Sequence, residues 1–250
     1  MIATRPDHQT LLAAVELANR APAVHDAQPW RWLMGNSSIH LMADRTRHGA
    51  EYRDVLLGCG AALHHLRTAF AALGWATVVH RVPNDHDPGH LAAIEPRPHV
   101  PTDDDVALAA AITHRRTDRL RLGSEHLDLL VRRAARAGAL LVPVRTSTPA
   151  RRSRAGGVLV ADAGQLLVVA SFDDEPVSVL RAGEAVSAVL LTATVLGLGA
   201  WPVAVRDRVV DGVDHPQMIV RVGGSVPSLP GRPARRTEDT VDYLPGTRHC

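Results

Sequence analysis

An α+β fold of two similar halves around one shared core is what this sequence predicts, and three observations carry the prediction. First, a helix closed by glycine and followed by a strand occurs once in each half, the core of an α+β layer unit. Second, GAALHHLRTAFAALG (60–74) aligns without gaps onto GEAVSAVLLTATVLG (183–197), with Gly60/Gly183, Ala62/Ala185, Leu73/Leu196 and Gly74/Gly197 coinciding. Third, 250 residues at 46% hydrophobic suffice for one large domain, or for two small units that share a core. The expected organisation is a single domain over residues 1–250, made of two pseudo-repeats at about 8–98 and 103–225. Each repeat is an α+β layer unit that needs the other to cover its open face.

The elements follow in order. Residues 8–20 set Leu11, Leu12, Val15 and Ala18 on one stripe, an amphipathic helix that Ala21-Pro22 stops. Trp30 to Met34 and Ile39 to Ala43 read as short strands around a Gly35-Asn36 turn. Val55 to Leu73 is an Ala/Leu-rich helix with Gly74 at its C-terminal cap, and Ala76 to Val82 is a β-branched strand. Pro83 to Pro101, rich in proline and histidine, reads as an ordered connection. Asp103 to Asp105 form an acidic first turn for a helix running to His114. Ser124 is the expected cap of a helix that places Leu127, Leu130, Val131 and Ala134 inward and closes at Gly138. Leu140 to Val144 and Leu166 to Ser171 read as strands on either side of the linker-like TSTPARRSRAGG (146–157). Pro176 opens a long apolar helix that ends at Gly197 and Gly199. Gln217 to Gly223 is the last expected strand, followed by a Pro/Arg-rich tail.

Composition excludes several functions. A formal net charge of +2 is too weak a field for a dedicated nucleic-acid binder. The two cysteines, Cys59 and Cys250, make neither a disulfide framework nor a zinc spacing, which fits a reducing cytoplasm. The N-terminal segment has no signal-peptide core, and no stretch of about 18 residues reads as a membrane helix. His86 and His90 sit four apart, but in a Pro/Asp-rich stretch rather than on a helix, and so are not a metal pair by spacing. There is no G-x-S-x-G elbow and no Rossmann fingerprint.

Three segments concentrate chemistry. APAVHDAQPWRW (21–32) packs Pro22, His25, Asp26, Gln28 and Trp30 into a helix-to-strand loop. As residues alone, it is a polar loop with a tryptophan anchor. HRRTDRL (114–120) is, as residues alone, an exposed arginine run between two helices. LTATVLGLGAWPVAV (191–205) is a glycine-rich helix end whose main chain is open to close approach.

Together these segments resemble the FMN-dependent nitroreductase superfamily. The first is similar to its A-P-S-x-x-N-x-Q-P-W-x-[FW] motif, and the form ending PWRW resembles the Acg-type, dormancy-associated branch. The second resembles the family's R-x-[ST]-x-[RK] phosphate element, and the third resembles the loop that faces the flavin N5 and O4 edge. GCGAALHHLR (58–67), PQMIVRVG (216–223) and RPARRT (232–237) follow in the family's order. The resemblance implies a nitroreductase-like α+β fold in which two fused halves pack around one FMN. It also implies NAD(P)H as a transient co-substrate and a small electron acceptor such as a nitroaromatic or a quinone. Neither nucleic acid nor membrane is an implied partner, and the chain is a monomer or a homodimer. By position, Arg115, Arg116, Thr117 and Arg119 match the phosphate ligands. Pro22, Ala23, Asp26 and Gln28 match the first-half loop, and Gly199, Pro202, Val203 and Ala204 match the flavin-edge loop. Arg235 or Arg236 matches a further phosphate contact. No side chain is implied as a catalytic acid or base, and no metal is implied.

Departures from the family pattern accompany the matches. Asp26 stands where asparagine is usual, and Ala23 stands where serine is common. Between the strands at 140–144 and 166–171 the branch carries a long helical segment, which here is reduced to the Arg/Gly linker. Three readings therefore stand side by side: an oxidoreductase, a non-catalytic protein that stores FMN under stress or dormancy, and a degenerate member that binds no flavin and acts through protein contacts.

Overall fold

The computed structural model describes residues 5–23, 27–44, 51–84, 86–114, 122–144, 164–203, 210–223 and 234–247. The first half contributes α1 (His8–Ala18), β1 (Trp30–Met34), β2 (Ile39–Ala43), α2 (Tyr52–Ala72), β3 (Trp75–Arg81) and β4 (His90–Pro98). Then come α3 (Asp103–Thr113), α4 (Ser124–Ala137), β5 (Leu140–Val144), β6 (Gln165–Ala170), α5 (Pro176–Val195), β7 (Ala200–Val203) and β8 (Pro216–Val222). A 3-10 turn at Thr237–Asp239 leads into β9 (Val241–Tyr243).

The strands form two sheets, ordered β3-β4-β2-β1-β9 and β5-β6-β8-β7. All the strand pairs are antiparallel except β1 with β9. With β9 set aside, the first sheet runs β1-β2-β4-β3 and the second β5-β6-β8-β7. The helix–strand–strand–helix–strand–strand order is thus the same in α1 to β4 as in α4 to β8. α3 bridges the two sets, held at its start by a capping box in which the Thr102 side chain and Asp105 satisfy each other's backbone.

Both sheets close on a pair of central helices, α2 and α5, which are buried on nearly every side. Their crossing is built from glycine. A Cβ at Gly60 would lie 2.0 Å from the Leu180 carbonyl oxygen, and one at Gly183 would lie 2.2 Å from that of Leu57. Each glycine thus faces the carbonyl three residues before the other. One turn further on, the half-buried His64 Nδ1 meets Ser187 Oγ at 2.8 Å. Gly60/Gly183 and His64/Ser187 advance together along both helices, so α2 and α5 run side by side in the same sense. Glu184, fully buried beside this crossing, accepts from Arg67 (2.7 Å) and from Arg81 (2.6 and 3.0 Å), tying α5 to α2 and β3. A buried carboxylate needs this pairing, because burial without it is costly.

The structure corrects the sequence reading in several places. Residues 90–98, read as a connection, form β4, the second strand of its sheet. Its prolines obscured it, yet they sit where proline is tolerated. β2 pairs with β4 only as far as Ile94, so Pro96 and Pro98 lie where β4 has β3 on one side alone. The tail also contains a strand, β9, which pairs with β1. The N-cap of α4 is Gly123, not Ser124, and makes no side-chain cap bond. Finally, α5 is long and apolar enough to cross a bilayer by length and composition. That apolar surface is used in the core, where 72% of its most apolar window is buried.

Candidate functional site

The first-half loop is held from three directions. α1 ends at Asn19, which is buried, and its Oδ1 accepts from the indole N–H of both Trp30 (3.0 Å) and Trp32 (3.2 Å). The two tryptophans are two apart on β1, so they share a face, and each finds the acceptor its N–H needs when buried. Asn19 Nδ2 donates to Thr240 Oγ1 at 2.8 Å, bringing in the C-terminal tail. From below, α2 supports the loop through Gly58, where an added Cβ would touch Pro29 and Ala23 at 3.3 and 3.5 Å. Pro22 and Ala23 are half-buried beside it.

Gln28 is the pivot of the loop. It is buried and has φ +47°, a backbone conformation uncommon for a side chain other than glycine. Its Oε1 accepts the Arg235 backbone N–H at 2.9 Å. The Arg235 guanidinium in turn donates to the carbonyls of Gln28 (3.2 Å), Trp30 (2.9 Å) and Asp239 (2.7 Å), and lies 3.4 Å from Asp44. Arg235 therefore clamps the tail onto the loop. Arg236, the other tail candidate, is exposed and pairs at 3.2 Å with the equally exposed Glu238.

The second-half element ends in β7. Gly197 (φ +73°) turns the chain out of α5, and the buried Gly199 accepts from the Gly223 N–H at 2.7 Å. Pro202 and Val203 continue along β7, half-buried and exposed respectively. β7 lies at the edge of its sheet, paired on one side with β8. Among the described residues, no strand pairs with its other side.

Both elements are tied, separately, to the first turns of α2. Arg53, in its first turn, donates to the Pro216 carbonyl (2.6 Å) and to Gln217 Oε1 (2.7 Å) and O (2.8 Å) at the start of β8. β7 is antiparallel to β8, with Val203 opposite Ile219, so β7 leaves toward that same end. Gly58 and Arg53 thus put the first-half loop and the outgoing end of β7 at the N-terminal end of α2. Gln217 extends the network to Ser171 (2.7 Å) and Asp174 (2.9 Å), and Asp174 pairs with His215 at 2.8 Å. That bond raises the His215 pKa and lowers that of Asp174.

Arg115, Arg116, Thr117, Arg119, Asp26 and Ala204 lie outside the described residues. The arginine segment falls between the end of α3 and the start of α4. Cys59 is buried in α2, where burial, reinforced by the Asp44 carboxylate, pushes its thiol pKa up, so it supplies no thiolate. Sequence reasoning missed Asn19, Arg53 and Gln217. The signal for Asn19 was available, because two tryptophans on one strand face require an acceptor.

No protein-family model matches the chain. Curated relatives do. A Mycobacterium tuberculosis protein named "Putative NAD(P)H nitroreductase" is 32% identical over 95% of this chain and 92% of its own length. Another, named "Putative NAD(P)H nitroreductase acg", is 29% identical over 95% of this chain and 96% of its own. The chain belongs to the nitroreductase family, in its Acg-type branch. A third M. tuberculosis relative, named only as an uncharacterized protein, is 42% identical over 44% of this chain and 35% of its own length. Membership makes the chain a nitroreductase-like oxidoreductase. The first two alignments span 318 positions against a chain of 250 residues, so these nitroreductase-family relatives carry sequence that this chain lacks.

Proposed function

We propose that this chain binds FMN and uses NAD(P)H to reduce a small conjugated acceptor, a nitroaromatic or a quinone. The observation that carries the reading is that the loop matching the family's first-half motif and the outgoing end of β7 are both tied to the N-terminal end of α2, in a chain that belongs to the nitroreductase family. The donor set suits the cofactor: main-chain groups of 199–203 toward a ring, and Arg115, Thr117 and Arg119 toward a single phosphate. When bound, FMN supplies the two-electron chemistry between nicotinamide and acceptor. The residues of this chain orient and shield it. Gln28 and the Arg235 clamp fix the loop that carries Pro22, Ala23 and Asp26, and Arg115, Arg116 and Arg119 hold the charge. The halves are a fused duplication, so one chain provides both sides of the site as a monomer or a homodimer in the cytoplasm.

The test is the cofactor released from purified protein by heat. FMN, identified by mass, is expected in the supernatant; FAD or no flavin overturns the reading. Hydrogen bonds to charged groups contribute about 1.5–3 kcal/mol each, so Arg115→Ala weakens FMN binding roughly tenfold to a hundredfold. Arg151→Ala, in the linker, leaves it unchanged.

The missing sequence favours a second reading, FMN storage with slow turnover, because less protein remains to position a nicotinamide at the roughly 3–3.5 Å that hydride transfer needs. Anaerobic stopped-flow reduction by NADPH separates the two. Slow bleaching that accelerates in Asp26→Asn supports storage as the natural role, whereas rapid bleaching of the unmodified protein supports the enzyme.

A further inference from the structure

The outer face of the first sheet carries a feature that the flavin reading does not use. β2 and β4 pair one for one from Ile39/Ile94 to Leu41/Ala92, and the next pair is Met42/His90. Leu91 is skipped. Without this bulge, alternation would put His90 on the core side with Ala92 and Ile94. Instead Leu91 and Ala92 both turn inward, each fully buried, and His90 emerges on the side of His40 and Met42. Bulges recur where a side chain must be re-aimed.

The re-aimed ring meets its neighbour closely. His40 Nδ1 and His90 Nε2 are 2.9 Å apart, with ring centroids 4.9 Å apart and both rings partly exposed. The other ring nitrogen of His40, Nε2, lies 2.9 Å from Ser38 Oγ. Donation from Nε2–H to that hydroxyl leaves the Nδ1 lone pair facing His90, the outer-shell arrangement that fixes the tautomer of metal-binding histidines.

We propose that His40 and His90 form a two-histidine chelate for a divalent transition-metal ion of tetragonal preference, copper(II) or nickel(II), on the outer face of the first sheet. Metal–imidazole bonds of about 2.0–2.1 Å set at right angles place the two nitrogens about 2.9 Å apart, whereas a tetrahedral centre spreads them to about 3.3 Å. The two nitrogens, held at 2.9 Å by a hydrogen bond from His90 Nε2–H to His40 Nδ1, already have the spacing of the right-angled case. Metal binding then requires the His90 proton to move from Nε2 to Nδ1, through solvent, and both rings to rotate so that their lone pairs face one ion, with water or buffer completing the coordination.

The experiment uses full-length protein without a polyhistidine tag, titrated with copper(II) and with nickel(II) by calorimetry, and with copper(II) by electron paramagnetic resonance. One tight equivalent showing hyperfine coupling to two nitrogens is expected. His40→Ala and His90→Ala each lose the chelate and weaken that equivalent on the order of 100-fold. Ser38→Ala, which removes only the outer-shell partner, weakens it roughly tenfold. His90→Gln retains a polar side chain on the sheet, so its loss of binding with an unchanged melting temperature separates chelation from folding. His80→Ala, an exposed histidine on the neighbouring strand β3, is the control and leaves the tight equivalent intact. Binding that persists in the His40→Ala/His90→Ala double variant places the metal elsewhere among the chain's 14 histidines and overturns the proposal. So does a protein with no tight equivalent at all.

Discussion

The two halves repeat one order of elements but are finished differently. In the first, β1 is covered by β9 from the C-terminal tail, and two fully buried tryptophans share one asparagine acceptor. In the second, β5 ends its sheet with no further strand among the described residues, and Trp201 lies half-buried under the Arg221 guanidinium at 4.9 Å. The tail leaves the second half and completes the first. It therefore serves as a tie between halves, and its anchor points, Arg235 on Gln28 and Thr240 on Asn19, fall on the candidate flavin loop. The helix crossing is the part in which the halves are equal. The tail junction is the part in which they differ.

The largest expected effect tests the equality. Gly60→Ala and Gly183→Ala each drive a methyl into a backbone carbonyl that cannot move without parting the helices. Overpacking usually costs about 1–3 kcal/mol, and a backbone clash at the centre of both halves belongs at or above the top of that range. Both variants should lose a cooperative melt or show it sharply lowered. Gly58→Ala, whose new methyl would lie 3.3 Å from the Pro29 ring and 3.5 Å from Ala23 and so asks for a shift of only a few tenths of an ångström, should change stability far less. A large loss in one crossing glycine and none in the other would break the symmetry of the crossing.

The next tests the difference. Asn19→Ala leaves two buried indole N–H groups without an acceptor, and each unsatisfied group costs about 1–3 kcal/mol. A loss of roughly 2–6 kcal/mol is expected by denaturant titration. The corresponding helix in the second half ends at Gly138, φ +89°, where the added methyl of Gly138→Ala meets the flexible Arg181 side chain. About 1 kcal/mol is expected there, from the left-handed backbone alone. Equal losses would mean that the tryptophan node is not what distinguishes the first half.

How much of this was legible depends on what each residue answers to. β1 and β2 were read to the residue, because their alternation and the Gly35-Asn36 turn are local signals. The alignment of residue 60 with 183 was visible as two letters. That these two glycines touch is a tertiary fact, although a glycine inside a long helix is itself a signal of close approach. β4 was hidden because Pro96 and Pro98 argue against a strand, and only the length of β2 makes them permissible. The arginine segment 115–119 lies outside the described residues, and its match to phosphate rests on the sequence resemblance. The role of Arg235 was not legible, because a clamp and a phosphate ligand use the same guanidinium and are told apart only by what lies within 3 Å.

A smaller effect follows from protonation at the crossing. Burial, with help from Arg67 and Arg133, pushes the His64 pKa down to about 3, against an ordinary value of 6.5. The folded protein therefore holds His64 neutral, while the unfolded chain takes up a proton below about pH 6.5. The stability from this group is complete above 6.5 and declines as the pH falls toward the folded value. The slope approaches about 1.4 kcal/mol per pH unit at its steepest. Comparing urea midpoints at pH 7 and pH 5 for the unmodified protein and for His64→Gln isolates it. The variant should lose less stability between the two values, and an unchanged difference would remove His64 from the acid sensitivity of the crossing.

The smallest stability effect lies in the tail, where it bears most on the flavin reading. Arg235 and Arg236 are adjacent and alike in charge, yet one is engaged by three carbonyls and a carboxylate and the other pairs at the surface. An exposed ion pair contributes about 0–1 kcal/mol, so Arg236→Ala should leave the melting temperature almost unchanged. Arg235→Ala should lower it, because it removes the guanidinium from beside the buried Asp44 and frees the tail from the carbonyls of Gln28 and Trp30. FMN retention then discriminates their roles. If Arg236 is the tail contact to phosphate, its loss weakens FMN binding severalfold at constant stability. Arg235→Ala weakens it only together with stability, through the loop that it clamps. Retention that falls in Arg235→Ala while the melting temperature stays constant would show that Arg235 contacts the ligand directly, and the tail would then be part of the site rather than its fastening.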